Sequence, residues 1–512
     1  MGNIRKQTII SSILIYIGFF IGIVNTYFYT SKIPLGFLHE GNIFSTAQYA
    51  LTQVFFNASQ ILFSFGALGV IPVLYKFYPY YKDNLEEDKI DLMTWALLIS
   101  FVGFILVLAF GIYFEPLMVR KFSERSVLFV DHYAWIFPLT AGTLFFSVTE
   151  GFAWAIQRSV ISNFLKETFM RLIVTVLIVI YCCGLINFRQ FMILFSFQFL
   201  VIFFILLFYL YRSGHLHFSF TISRVTRKFW KKMAKMQALI FTGTCVATLG
   251  ASMDVLIISS LNGLSTAGVF VFSQYASNLI RAPYTSVQSV SASVLSRAWK
   301  EKNYKEISRI YSRSSINLLL LSLIIFGNLW LNILPAINVL NLKSDFAQGM
   351  MVLLVLGSVR IIDAGTGLNQ MVINTSSFWR FDFISNVCLL TLRLPLTYFF
   401  IKTYGIIGSA FAELISVTLI NFIRFEFLRR KFDMQPFSMK TGYAILLTGT
   451  AYALCHFLLG PIGGFAGLII RGIAFSGLMI AGVFYWKLTP DAGQLYEVFL
   501  GRVDRWRKKK TD

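Results

Sequence analysis

The chain has little charge for its length. Only 13% of its 512 residues are Asp, Glu, Lys or Arg, about half the share of a soluble domain. Cysteine and histidine number five each. Cys182, Cys183, Cys245, Cys388 and Cys455 all lie in apolar stretches without metal-ligand spacing, which excludes a disulfide scaffold and a zinc site and leaves them as small core residues. His39, His132, His215, His217 and His456 are scattered. No Gly-x-x-x-x-Gly-Lys-[Ser/Thr] loop occurs, so no built-in ATP motor is expected. What the chain does have is apolar surface and positive charge. It is 56% hydrophobic with a net charge of +21, and its mean hydropathy is +0.69. Nucleic-acid binding is excluded by the scarcity of polar surface; a membrane protein with its basic residues gathered on one side is the reading that remains.

A helix needs roughly 20 apolar residues to cross the hydrocarbon core. That ruler predicts fourteen spans, at 8–30, 44–74, 91–114, 131–157, 163–185, 188–211, 236–260, 266–296, 314–335, 347–375, 380–402, 406–429, 440–460 and 463–487. With the N-terminus inside, the cytoplasmic side collects 32 of the 45 basic residues, the outer side seven, and six fall within spans. Both termini are therefore expected in the cytoplasm. The outer connections, the longest at 31–43 and 115–130, carry no constellation of acids, bases or nucleophiles, so enzymatic chemistry on an outer substrate is not expected.

A repeat runs through the chain. Ser45-Thr46-Ala47 opens the second span and Ser265-Thr266-Ala267 the eighth. Gln53, Asn57 and Gln60 match Gln274, Asn278 and Arg281 at an offset of 221. Val73-Leu74-Tyr75-Lys76 matches Val294-Leu295-Ser296-Arg297 at the same offset, and Pro116 and Pro335 close spans three and nine. The expected organisation is an all-α integral membrane protein in four parts. Residues 1–212 form an N-terminal six-helix lobe, 213–235 a cytoplasmic basic amphipathic linker, and 236–430 a parallel second lobe. Residues 431–512 add two extra transmembrane helices and a basic tail. Paired repeats around a midplane site are a transporter architecture. The linker interleaves Arg224, Arg227, Lys228, Lys231, Lys232 and Lys235 with Val225, Phe229, Trp230 and Met233; it reads as a helix resting on anionic lipid. The tail Arg505 to Lys510 reads the same way.

Polar groups inside spans carry the functional signal, because each costs roughly 2.5–3.5 kcal/mol at mid-membrane if charged. Gln53, Asn57 and Gln60 share one helix face, and Gln274, Asn278 and Arg281 repeat it. These are candidate cavity-lining residues, with interhelical hydrogen bonding as the plainer alternative. Arg281, followed by Pro283, has no acid on its own helix, and its guanidinium suits the oxygens of a phosphate. Arg360 either serves a ligand or neutralises Asp363; Arg393 either joins Arg281 or pairs with Glu413. Arg424 lies near a cytoplasmic end and is read as snorkelling into the interface. Asp254, Asp382 and Asn386 are candidate oxygen ligands for a coupling cation, with Asp382 otherwise neutralising Arg380. Glu150 is either a protonation switch or a helix-packing acid.

Three stretches carry a family resemblance: Asp254-Val255-Leu256-Ile257-Ile258, then Ser265-Thr266-Ala267-Gly268-Val269-Phe270, and Tyr404-Gly405-Ile406-Ile407-Gly408-Ser409-Ala410. In order and spacing, and with fourteen spans around a basic linker, the chain resembles the multidrug/oligosaccharidyl-lipid/polysaccharide exporter superfamily. Within it, the chain looks most like the polysaccharide flippases of the O-antigen type. Leu35 to Tyr49 departs from the family's compact glycine turn. The resemblance implies that an undecaprenyl-pyrophosphate-linked oligosaccharide crosses a bacterial inner membrane by alternating access, for surface polysaccharide or lipopolysaccharide synthesis. Arg281, Arg360 and Arg393 would take the pyrophosphate, and Gln53, Asn57, Gln60, Gln274 and Asn278 the sugar hydroxyls. A Na⁺ or H⁺ gradient would supply energy, with no other cofactor. Membrane lipids and other polysaccharide assembly proteins are the further partners implied. Alternatives are a cation-coupled multidrug exporter, a lipid II flippase and, from a different class, a membrane polysaccharide polymerase or ligase.

Overall fold

The computed structural model describes residues 2–32, 42–214 and 216–490. The loop 33–41, His215 and the basic tail Arg505 to Lys510 lie outside the described residues. The helices follow the fourteen apolar segments in order. The chain is an all-α, multi-pass membrane protein: ten helices among the described residues, or eleven counting one bent pair, are long and apolar enough to cross a membrane. Contacts divide it into two compact units, Met1–Val271 and Phe272–Asp512.

In the first unit, α1 (Gly2–Thr30) is followed by α2 (Thr46–Gly66) and α3 (Ile71–Lys82). Ser45 caps α2 in a reciprocal box with Gln48, which satisfies two otherwise orphaned backbone donors. The expected single span 44–74 is instead two helices bent by 45°. Leu68 and Gly69 take positive φ there, and α3 runs eight residues past the expected end. The chain continues with α4 (Leu92–Phe122), α5 (Val127–His132), α6 (Ile136–Ala155) and α7 (Ser159–Asn163), then a π-helical turn (Phe164–Phe169), α8 (Met170–Cys182) and α9 (Phe188–Arg212). The core is aromatic: Phe44, Tyr49, Phe55, Phe146 and Phe191 are among its fully buried side chains.

The expected linker does not stand alone. Residues 224–235 form the first turns of the 39-residue α10 (Arg224–Asn262). Ser223 caps the helix, and the fully buried Asp91 locks it to the start of α4. One Asp91 oxygen accepts from the Ser223 amide (2.9 Å), the Thr226 hydroxyl (2.8 Å) and the Trp95 indole (3.1 Å). Phe229 packs on Phe77 and Tyr80 of α3, while Trp230 and the lysines stay on the outside. A helix that pairs one aromatic ring with its own protein and leaves the next exposed is amphipathic in the expected sense.

The second unit begins within α11 (Leu264–Lys300), unbroken through Pro283. It continues with α12 (Tyr304–Val339), α13 (Met350–Gly365), α14 (Asn369–Asn374), α15 (Trp379–Tyr404), α16 (Ile406–Phe432), α17 (Met439–Leu459) and α18 (Gly464–Tyr485). The expected span 347–375 is split between α13 and α14. Helices α17 and α18 rest on α12 through Leu319, Leu323, Ala444, Leu447, Phe475 and Met479. Between α15 and α16 the chain reverses at Gly405, whose φ of +65° a side chain would resist. That turn sets the register of everything described next.

Candidate functional site

The α15–α16 hairpin is charge-complementary. Asp382, Asn386 and Arg393 recur on one face of α15 at i, i+4 and i+11, and Glu413 and Arg424 share one face of α16 at i, i+11. Folding back at Gly405 sets each acid against a base on the other helix. Arg393 Nη2 donates to Glu413 Oε2 at 2.9 Å, and Arg424 Nη2 to Asp382 Oδ1 at 2.8 Å. Asn386 completes the second pair, accepting from Arg424 at 3.1 Å and donating to Asp382 Oδ2 at 3.3 Å.

Neighbouring helices extend this into a network. Arg360 of α13 donates through Nη1 to Glu413 Oε1 at 2.9 Å, so one carboxylate holds two guanidiniums, one on each oxygen. Asp363 accepts from Asn421 (3.1 Å), which in turn accepts from Asn369 of α14 (2.8 Å). The Gln370 side chain lies beside Asp382. From α11, buried Tyr284 lies in electrostatic range of Asp363, Arg424, Arg281 and Asp382. Arg281 is exposed, lies in range of Glu413, and has no ion pair among the described residues. Isolated charges buried here would cost several kcal/mol each; pairing is what lets the helices keep them.

Several expectations change at this point. Arg360 and Asp363 do not pair with each other. Arg424 does not snorkel: it is 5% exposed, because the hairpin register sets it opposite Asp382 rather than at a free helix end. Asp382 does not neutralise Arg380, which lies over the Trp379 ring instead. Arg471 of α18, a further arginine within a span, has no ion pair among the described residues; it donates to Asn332 Oδ1 and to the Ile462 carbonyl at the α17–α18 turn, capping the end of α17. Glu413 was foreseen only as a partner of Arg393. Asn421, Asn369, Gln370 and Tyr284 were missed altogether.

The first unit is organised differently. A cavity of about 640 Å³ is lined by Gln60, Thr143, Glu150, Trp154, Lys166 and Ser252, among others. Glu150 Oε2 accepts from Lys166 Nζ at 2.9 Å, and Glu150 Oε1 is buried without a partner. Lys166 sits on the π-helical turn, whose extra residue per turn re-aims side chains. Of the predicted stripe, only Gln60 reaches this cavity. Asn57 bonds back to the Gln53 carbonyl, and Gln53 to Thr52. On α11, Gln274 is half-buried and Asn278 exposed, two turns and one turn before Arg281 respectively. Asp254 is buried in α10 of the first unit, whereas Asp382 and Asn386 are engaged by Arg424 in the second. Among the described residues no group of three or more His, Cys, Asp or Glu side chains is placed to hold a metal ion.

No protein-family model matches the sequence, and no curated protein matches it. Solved structures do. The chain is similar to the lipid II flippase MurJ in an inward closed conformation, at 16% identity over 94% of this chain and 99% of that one, with a TM-score of 0.67. It is also similar to an inward-facing multidrug resistance MATE family transporter of the MOP superfamily, at 12% identity over 80% and 98%, TM-score 0.61. A third likeness is to a MOP superfamily transporter from Pyrococcus furiosus, described as having a binding pocket of reverse polarity, at 12% identity over 84% and 96%, TM-score 0.51. The chain therefore has the fold shared by the MurJ flippase and MATE-type membrane transporters of the MOP superfamily.

Proposed function

We propose that the protein is a flippase for a lipid-linked oligosaccharide. Its cargo would be an undecaprenyl-pyrophosphate-sugar, carried across a bacterial inner membrane by alternating access for surface polysaccharide synthesis, with both termini in the cytoplasm. The observation that carries this reading is the arginine cluster of the second unit: Arg360 and Arg393 share the single carboxylate of Glu413, with exposed Arg281 in range. A cluster richer in guanidinium than in carboxylate favours an anion, and planar guanidinium matches phosphate oxygens bidentately. Gln274 and Asn278, on α11 beside Arg281, would meet sugar hydroxyls, as would Gln53, Asn57 and Gln60 in the first unit. Transport of this kind breaks no bond, so the chain needs no nucleophile; a Na⁺ or H⁺ gradient would drive it, with Asp254 and Glu150 as candidate coupling residues. Asp382 and Asn386 serve the ion network in this reading.

Lipid II, the cargo in the name of the MurJ neighbour, presents the same pyrophosphate-sugar chemistry and is the second reading, supported by that fold likeness. A cationic-drug exporter would want acids where this chain has arginines. The test is export in cells. Arg281→Ala should lose surface polysaccharide at unchanged protein level, and Arg281→Lys should keep part of it. Normal export by Arg281→Ala would remove the phosphate role.

A further inference from the structure

We propose that Glu413 is an internal stand-in for the cargo's phosphate: the carboxylate that an arriving phosphate must displace from Arg360 and Arg393, and hence the residue that sets how much negative charge a ligand must carry. This rests on the reading that the second unit binds an anionic headgroup, and it adds selectivity among anions.

Three features carry it. Glu413 holds one guanidinium on each oxygen, both at 2.9 Å, with the two arginines coming from different helices. That is the bridging arrangement by which paired arginines hold a phosphate. Arg360 meets Glu413 through Nη1. Its Nε is buried with no hydrogen-bond partner, although the side chain is only 9% exposed. Buried donors are normally satisfied; here the Nε edge, which guanidinium uses for bidentate contacts, is unspent, as it also is on Arg424. Finally, Arg281 lies in range of the same carboxylate but is exposed, so it can meet a ligand before the buried pair does.

The selectivity follows from charge. Any ligand that displaces Glu413 leaves that carboxylate buried and unpaired, and one with a single negative charge offers the arginines no more than Glu413 already does to offset it. A pyrophosphate offers at least two charges and more acceptor oxygens, enough to replace the carboxylate on both guanidiniums. Once the cargo leaves, Glu413 returns to its partners, so the same residue that raises the threshold for binding assists release.

The experiment measures equilibrium binding of inorganic pyrophosphate and of dimethyl phosphate, which carries one charge, to the purified full chain. Wild type should prefer pyrophosphate by about tenfold or more; Glu413→Gln should bind dimethyl phosphate about tenfold more tightly and pyrophosphate only about two- to threefold more tightly, so that most of the preference is lost. Glu413→Asp, one methylene shorter, should fall between them and keeps the negative charge if Glu413→Gln does not fold. Pyrophosphate should also raise the melting temperature of Glu413→Gln more than that of wild type, an effect a merely structural role would not produce. If the Glu413 variants that fold bind both anions like wild type while Arg281→Ala weakens pyrophosphate, the stand-in role is overturned and the anion-binding reading survives. If wild type binds neither anion, that reading fails and takes the proposal with it.

Discussion

The two units use one repeat for different ends. In the first, the repeated polar stripe ends in Gln60, its helix bends at 67–70, and the core is built on aromatic rings. Its ion pairs within spans, Glu150–Lys166 and Glu167–Arg171, each keep at least one member a quarter or more exposed. In the second, the matching position is Arg281, the helix continues unbroken through Pro283, and three helices pool two acids and three arginines into almost fully buried ion pairs. A helical unit in the membrane thus tolerates either a nearly neutral or a strongly ionic interior. The ionic one requires that each charge be matched in register by a neighbouring helix, and Gly405 provides that register.

Breaking one member of a matched pair separates the units most sharply. Asp382→Asn should cost about 3–5 kcal/mol, because it strands Arg424 in a buried site, whereas the double replacement Asp382→Leu with Arg424→Met should be nearly neutral. Thermal unfolding of the purified variants measures both. If the single change is as mild as the double one, the pair is not buried as described. In the first unit, packing should matter more than charge. Gly142→Ala would place a methyl about 2.5 Å from the Leu200 amide where α6 and α9 touch, and should cost about 1–3 kcal/mol. Glu150→Gln should cost about 1 kcal/mol or less, since half-exposed Lys166 can turn to solvent. A loss for Glu150→Gln equal to that for Asp382→Asn would erase the contrast between the units.

Much of the fold could be read from hydropathy, because a helix in lipid must be long and apolar. The site was legible in part. Arg281, Arg360 and Arg393 stand out simply because charge is scarce within spans. What they contact was not legible from single-helix patterns: Arg360 and Asp363 are neighbours on one helix yet turn to different partners, and Arg424 looks terminal until the hairpin is closed. The signal was present in hindsight, since Asp382 with Arg393 and Glu413 with Arg424 repeat the same 11-residue spacing with opposite polarity around Gly405. The break after Gly66 left no such trace, because apolar residues continue on both sides of it.

The central claim is that the second unit's arginines carry a pyrophosphate headgroup. Reconstituted into liposomes, the wild-type protein should move a fluorescent undecaprenyl-pyrophosphate-linked oligosaccharide between leaflets. Arg281→Ala should do so about tenfold more slowly, the loss of roughly one charge-assisted contact. Equal rates for the two proteins, or movement of a cationic dye in place of the lipid-linked sugar, would contradict it.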